Sequence, residues 1–237
     1  MNLLRGPRIC LLSGILALSA SANDWPTWRG PLQTGSSLEH YQGGSGKVDE
    51  APVWTHPTRS RGCPVVFGGR IFSFGYKGEK TELIELLTCL DEKTGKKIWE
   101  VEIKDFISDT VYNRYAIGSP TIDPETKRVY LITAYGIFGC WDFDGKEIFR
   151  HSMMEDFGRL TFPNSKVGCA VIEGDLVIVR GITANWGADG PAADRFYGFD
   201  KLTGELVWSC PPGTIPPTDS SFSTPYLETR DGKRVFY

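Results

Sequence analysis

Short apolar and β-branched runs alternate with polar turns along residues 63–237 of this chain. Runs of this kind, bounded by glycine, proline and aspartate, predict β-strands. Several are paired across tight turns such as Gly68-Gly69 and Asp144-Gly145, and this pairing predicts β-hairpins. Between the hairpins the apolar positions do not follow the spacing of an amphipathic helix. The pattern therefore predicts an all-β protein.

One phrase of the pattern occurs three times, with 50 and then 59 residues between its final aromatic side chains. A small residue comes first, an aspartate follows two positions later, and a glycine and an aromatic residue complete the phrase. The three copies contain Asp91, Gly95 and Trp99; Asp142, Gly145 and Phe149; and Asp200, Gly204 and Trp208. The second copy has a turn one residue shorter and carries phenylalanine in place of tryptophan. A phrase that recurs at this period indicates a repeat architecture.

A second hairpin precedes each phrase, so each repeat contains four antiparallel strands. Four-stranded antiparallel units of roughly 50 residues are the blades of a β-propeller. The predicted blades are residues 63–104, 119–153 and 169–210, with the start of a fourth at 223–237. Because propellers have about four to eight blades, these three and a half predict a fragment of a longer protein. Residues 23–62 are predicted to be an N-terminal segment in which Val53-Trp54 forms an outer strand that closes the ring.

The first 22 residues resemble an export signal. Arg5 and Arg8 precede an apolar run at residues 9–18, and Ala20-Ser21-Ala22 supplies the small residues of a cleavage site. Ten apolar residues are too few for a helix that spans a bilayer. A short membrane anchor is the alternative interpretation. The prediction is a signal peptide at residues 1–22 and a periplasmic or extracellular protein without a membrane span.

The charge of the chain argues against nucleic acid as a partner. Its formal net charge is −3 and its pI is about 5.7. No block of basic residues occurs along the sequence, whereas nucleic-acid-binding proteins present clustered lysine and arginine.

Removal of the signal peptide would leave five cysteines, at positions 63, 89, 140, 169 and 210. Five is an odd number, so at least one thiol of a monomer stays unpaired. Cys89 and Cys140 occupy equivalent repeat positions, which are usually too far apart for a disulfide. The cysteines are therefore predicted to be small buried apolar residues, and internal disulfides are disfavoured.

The predicted strand order divides the connections between two faces. Tight turns join the first to the second and the third to the fourth strand of each blade, and the long connections emerge on the other face. The long connections are predicted at residues 75–85, 105–118, 151–168, 181–195 and 211–222. Long loops on a rigid scaffold are where binding residues concentrate. This long-loop face is the predicted binding face.

The candidate binding residues on the long-loop face are Asn113, Arg114, Tyr115, Arg159, Asn185, Trp186 and Asp189. Arg114 lies among aromatic and amide side chains, which suits it to grip a carboxylate or a partner loop. The alternative is that these residues order their own loops, as self-packed surface loops do.

The pattern small-x-Asp-x-x-Thr-Gly-x-x-x-Trp resembles the tryptophan-docking repeat of the pyrroloquinoline-quinone-like propeller family. This family includes quinoprotein alcohol dehydrogenases and an outer-membrane assembly lipoprotein. The opening Asp24-Trp-Pro-Thr-Trp-Arg-Gly-Pro31, followed by Gly35, resembles the start of secreted bacterial members. The resemblance covers most of residues 24–237.

The resemblance implies that the repeat residues are structural. The tryptophan packs between blades, with its indole N–H bonded to the backbone of the neighbouring blade, and a buried indole does need such a partner. Phe149 has no N–H group, so the joint that it forms is predicted to be weaker. The repeat aspartates are predicted to cap tight turns and not to act in catalysis.

Motifs for catalysis are few. His40, His56 and His151 lie in separate regions, and no metal-ligand spacing occurs among them. Neither a Gly-x-Ser-x-Gly motif nor a phosphate-binding loop is present. Quinone-dependent dehydrogenases of the family carry a vicinal cysteine pair against the cofactor and a carboxylate base beside calcium, and this sequence has no adjacent cysteines.

The sequence therefore predicts an exported, non-catalytic propeller that binds a protein or polymer on its long-loop face. The resemblance implies a role in cell-envelope biogenesis, and no cofactor is expected. The alternative is a fragment of a dehydrogenase for alcohols or sugars, which would bind pyrroloquinoline quinone (PQQ) and calcium in its central channel.

Overall fold

The computed structural model of the chain describes residues 24–37, 51–105, 115–157, 168–183, 193–211 and 223–237. These residues form fourteen β-strands and one short 3₁₀ turn at Lys80–Glu82. The strands make three four-stranded sheets and one hairpin, and the strand pairs are antiparallel. The predicted all-β class and the propeller-blade architecture are confirmed.

Within every sheet, neighbours in sequence are also neighbours in space. Blade 1 consists of β1 Val65–Phe67, β2 Arg70–Lys77, β3 Ile84–Asp91 and β4 Lys97–Ile103. Blade 2 consists of β5 Thr121–Asp123, β6 Arg128–Ile132, β7 Ile137–Asp142 and β8 Glu147–Ser152. Blade 3 consists of β9 Val171–Glu173, β10 Leu176–Thr183, β11 Ala193–Asp200 and β12 Leu206–Cys210. The last hairpin consists of β13 Leu227–Arg230 and β14 Lys233–Phe236.

Several of the predicted long connections are shorter than expected. The loop predicted at residues 75–85 is reduced to 78–83, because β2 and β3 stay paired as far as Lys77 and Ile84. The connection predicted to begin at His151 begins later, since β8 runs to Ser152. In blade 3, pairing between β10 and β11 extends to Thr183 and Ala193. The predicted bounds were wrong because backbone pairing continues past the last strongly β-prone residue.

Blade 2 is buried on both faces. Successive side chains of a strand point to opposite sides of the sheet. Val129 and Leu131 of β6 therefore pack toward blade 1, whereas Tyr130 and Ile132 pack toward blade 3. Two apolar clusters result, one on each side of this blade, which explains the apolar and aromatic run at residues 129–132 of β6.

An aromatic ring joins each blade to the turn of the next. The Trp99 ring lies against Gly145, and its Nε1–H donates to the carbonyl of Phe143 at 2.7 Å. Trp54 lies in the same way against Gly95 of blade 1, where it donates to the carbonyl of Glu92 at 2.9 Å. Trp54 thus has the position on blade 1 that Trp99 has on blade 2.

The joint formed by Phe149 obtains its hydrogen bonds from other residues. The Phe149 ring lies against Gly204, and His151 Nε2 hydrogen-bonds the Gly204 carbonyl at 2.7 Å. The Tyr130 hydroxyl donates to the carbonyl of Lys201 at 2.8 Å. Whether this joint is weaker than its neighbour remains a prediction. The Trp208 ring, at the end of blade 3, stacks on Phe236 with 5.4 Å between ring centroids.

The repeat aspartates hold their own turns. Asp91 Oδ1 accepts the backbone N–H of Thr94 at 2.8 Å, and Asp200 Oδ1 accepts that of Thr203 at the same distance. Asp142 Oδ1 accepts two backbone N–H groups in its shorter turn. Hydrogen bonds from the threonine side chain and backbone lower the pKa of Asp91, and those from backbone N–H groups lower the pKa of Asp200.

We expect Gly145→Ala to destabilise the chain by about 2 kcal/mol, and Gly69→Ala by only about 1 kcal/mol. Both glycines have positive φ, +84° for Gly145 and +75° for Gly69. A Cβ at Gly145 would lie 2.8 Å from the Trp99 ring, whereas nothing lies within 4 Å at Gly69. Urea denaturation of the full chain measures the difference. Equal losses would show that the ring moves aside without cost.

Candidate functional site

Four equivalent segments lead into the first strand of each blade. They are Gly62-Cys63-Pro64, Gly118-Ser119-Pro120, Gly168-Cys169-Ala170 and Ser223-Thr224-Pro225. The first strands β1 and β5 contact each other, which places them on the inner side of the blades. The four segments therefore lie side by side at one end of the blades.

A chain of hydrogen bonds, here called the entry ladder, links these segments from blade to blade. The Cys63 N–H donates to Ser119 Oγ at 2.9 Å, and the Ser119 N–H donates to Cys169 Sγ at 3.3 Å. The Cys169 N–H in turn donates to Thr224 Oγ1 at 2.9 Å. Each blade thus supplies a small side-chain acceptor to the preceding blade.

The prediction that the cysteines are small buried apolar residues is wrong for Cys63 and incomplete for Cys169. Cys63 is exposed, so the prediction that it is a small buried residue was wrong. Cys169 is buried but accepts a hydrogen bond. Cys89 and Cys140 are buried as expected, and burial raises the pKa of Cys89 to about 11 and that of Cys140 to about 12. The thiols of the five described cysteines are free.

A cavity of about 610 Å³ opens beside the entry ladder. Besides the ladder residues, its walls include Trp28, Arg29, Arg61, Tyr226 and Tyr237. The N-terminal segment reaches the cavity because Trp25 pairs with Val66 of β1, with N···O distances of 2.7 and 2.9 Å. The carbonyl of Pro26 then accepts the N–H of Ile122 in β5 at 2.8 Å. Residues 24–29 thus run along the inner strands of two blades.

The cavity carries positive charge. Arg29 and Arg61 are among the residues that line it, and no aspartate or glutamate is among the described ones. The Arg29 guanidinium lies over the rings of Trp28 and Tyr226, with 5.6 and 5.4 Å to the ring centroids. Neither arginine forms a salt bridge with a residue in the described part of the chain.

A buried carboxylate supports the wall of this cavity. Glu85 of β3 has no exposed surface, and its carboxylate accepts the N–H groups of Ala116 at 3.0 Å and Ala134 at 2.9 Å. Ala116 has a φ of +48°, and its carbonyl accepts the N–H of Arg61 at 3.1 Å. Burial raises the pKa of Glu85 to about 7. The sequence offered one sign of this site, a charged residue followed by the apolar run at residues 86–87.

Tyr115 is the one predicted binding residue within the described chain. Its side chain is fully buried, its hydroxyl accepts the N–H of Lys80 at 3.1 Å, and its ring contacts Tyr76 edge-on. It therefore does not present a side chain at the surface. The remaining candidates, Asn113, Arg114, Arg159, Asn185, Trp186 and Asp189, lie outside the described residues.

Two features bear on the alternative of a calcium- and PQQ-dependent enzyme. No group of three or more histidine, cysteine, aspartate and glutamate side chains among them is arranged to hold a metal ion. The vicinal cysteine pair that the resemblance would require is absent from the sequence. In the part of the chain that the structure describes, no helix is long and apolar enough to cross a membrane.

A family profile described as outer membrane protein assembly factor BamB matches residues 84–236. No curated protein sequence matches the chain significantly. One similar solved structure is the quinohemoprotein alcohol dehydrogenase from Comamonas testosteroni, with a TM-score of 0.51 and 20% identity over 81% of this chain and 28% of that chain.

Two further solved structures are similar at lower TM-scores. A europium-containing methanol dehydrogenase has a TM-score of 0.43 and 17% identity, over 62% of this chain and 24% of that chain. BamB from Moraxella catarrhalis has a TM-score of 0.44 and 17% identity, over 68% of this chain and 43% of that chain. The chain thus spans less than half the length of each of the three solved proteins.

Proposed function

This chain belongs to the family described as outer membrane protein assembly factor BamB, and on that premise we propose that it is an exported, non-catalytic propeller that binds a protein partner. The proposed binding face is the end of the blades at which the entry ladder and its cavity lie. Export to the periplasm or the extracellular space follows from the predicted signal peptide at residues 1–22. A role in cell-envelope biogenesis belongs to the same proposal.

The observation that carries the proposal is the position of the cavity. Its walls come from the N-terminal segment and from the entries of all three blades and the last hairpin. A surface assembled from so many rigid elements is preorganised, and preorganisation lowers the entropic cost of binding. The opposite end of each blade carries only short turns, such as the two residues between β1 and β2.

Position-specific photocrosslinking tests this proposal in the full chain. A photoreactive phenylalanine analogue is placed at Tyr237 in the cavity wall, or at Lys93 in the β3–β4 turn at the opposite end. Both side chains are exposed, so the two positions are matched in access. We expect a discrete crosslinked protein from position 237 in intact cells and none from position 93. Equal crosslinking from both positions, or none from either, would contradict the proposal.

The alternative function, a PQQ- and calcium-dependent dehydrogenase, is tested separately. We expect no saturable change in the PQQ absorption spectrum on addition of the full chain with calcium, and no dye-linked oxidation of alcohols or sugars. Saturable PQQ binding together with oxidation would overturn the non-catalytic proposal.

A further inference from the structure

We propose that the cavity beside the entry ladder binds an acidic segment of the partner protein, with Arg29 and Arg61 pairing with its carboxylates. This inference rests on the proposed function and specifies the chemistry of the partner at the same face. Among the described residues that line this cavity are two arginines and no aspartate or glutamate.

The two arginines are the first support for this inference. Guanidinium groups bind carboxylates through parallel N–H···O bonds, which makes arginine the usual residue where carboxylates are recognised. Several arginines elsewhere in the described chain are paired with carboxylates: Arg59 with Glu79, Arg150 with Glu147 and Arg234 with Glu173. The chain has a net charge of −3, so the two arginines of the cavity stand out against an acidic background.

The positioning of these arginines is the second support. The Arg29 guanidinium lies over the rings of Trp28 and Tyr226. These contacts restrict the motion of the guanidinium without neutralising its charge. The backbone of Arg61 is held because its N–H donates to the carbonyl of Ala116. The N–H of Ala116 in turn donates to the carboxylate of Glu85. An arginine whose position is set before binding loses less entropy when it meets a carboxylate.

The size and lining of the cavity favour a polypeptide segment. A volume of about 610 Å³ is within the range of clefts that enclose a ligand of several residues or a drug-sized molecule. Trp28 and Tyr226 are each about two-fifths exposed, at 41% and 40%. Aromatic side chains at this exposure provide apolar contact area next to the charges, as in protein interfaces.

Fluorescence anisotropy with a labelled peptide tests the inference in the full chain. The probe is a fluorescein-labelled hexapeptide of four glutamates flanked by glycines, amidated at its carboxyl end, and the comparison peptide carries glutamines. We expect binding of the glutamate peptide that weakens as salt is added, since the contact is ionic. Loss of one charged contact should weaken binding roughly tenfold in Arg61→Gln.

Arg150→Gln is the matched control, since Arg150 is an exposed arginine on β8, away from the cavity lining. Its affinity should equal that of the unaltered chain, and circular dichroism verifies that both variants fold. Arg29→Gln is a second variant at the cavity and should weaken binding as well. Equal binding of the glutamine peptide, or an unchanged affinity in Arg61→Gln, would overturn the inference.

A small molecule with free carboxylates offers the same chemistry as an acidic peptide. Competition between citrate and the labelled peptide distinguishes the two sources. If citrate binds as tightly as the peptide and displaces it fully, the cavity is a site for small anions and the inference is wrong. Loss of peptide binding with crosslinking at position 237 retained would remove this inference but leave the proposed function standing. Peptide binding without any crosslinked protein would remove the proposed function but leave the binding of acidic peptides standing.

Discussion

Trp99→Ala is expected to lower the free energy of unfolding of the full chain by about 3 kcal/mol, in the range for truncating a packed aromatic side chain. The Trp99 ring packs against Gly145 and the Phe72 ring, and its Nε1–H donates to the Phe143 carbonyl at 2.7 Å. Removing the ring opens the joint between blades 1 and 2. Chemical denaturation followed by intrinsic fluorescence measures the loss.

Trp99→Phe separates packing from hydrogen bonding at this joint. Phenylalanine retains most of the ring but cannot donate, as in the natural joint at Phe149. The Phe143 carbonyl keeps a second donor, Arg70 Nη1, so the carbonyl is not left unpaired. We expect a loss of about 1 kcal/mol for this variant. A loss within error for Trp99→Ala would show that the joint does not hold the blades together.

The stability of the chain is expected to fall by about 2 kcal/mol between pH 5 and pH 8 because of Glu85. Burial raises its pKa from the usual 4.5 to about 7 in the folded chain. The folded chain therefore binds this proton more tightly than the unfolded chain does. The resulting stabilisation is complete below about pH 4.5, declines as the pH rises to about 7, and is absent above that.

Glu85→Gln should remove this pH dependence, since glutamine does not titrate. Denaturation at several pH values measures the difference between the two slopes. Glu173→Gln is a matched control, because its hydrogen bond with Arg234 lowers the pKa of Glu173 and keeps it ionised throughout this range. Parallel profiles for the unaltered chain and Glu85→Gln would contradict the assignment of the proton to Glu85.

Glu85 also connects stability with the proposed binding face. Its two hydrogen bonds fix Ala116 and Ala134, and Ala116 in turn holds the backbone of Arg61. A change in this carboxylate should therefore affect the cavity wall, although Glu85 itself does not line the cavity. For this reason the peptide-binding experiment is best performed at one fixed pH.

The sequence was sufficient to predict the blades because their information is local. A hairpin needs alternation of apolar side chains and a turn, and Asp91 and Gly95 lie within a few residues of the strands that they connect. The aspartate–threonine bond of this turn spans three positions in sequence. The 50- and 59-residue spacing then identified the repeat, and three copies of one hairpin pair gave the strand order.

The sequence was not sufficient to predict how Phe149 is supported. The indole N–H that this joint lacks is replaced by a contact from His151, which lies 53 positions from Gly204. The long connection predicted at residues 151–168 began at His151. Only the packing of blade 2 against blade 3 brings the two residues together.

The sequence by itself therefore determined the strands, their order and the tight turns of this protein, since those features follow from alternation and turn chemistry over a few residues. The tertiary structure alone decided the entry ladder, the burial of Glu85 and the placement of Arg29 and Arg61 in the wall of one cavity. The ladder bond from Cys63 to Ser119 spans 56 positions. Contacts at such separations depend on the angle at which blades pack, and no local pattern in the chain encodes that angle.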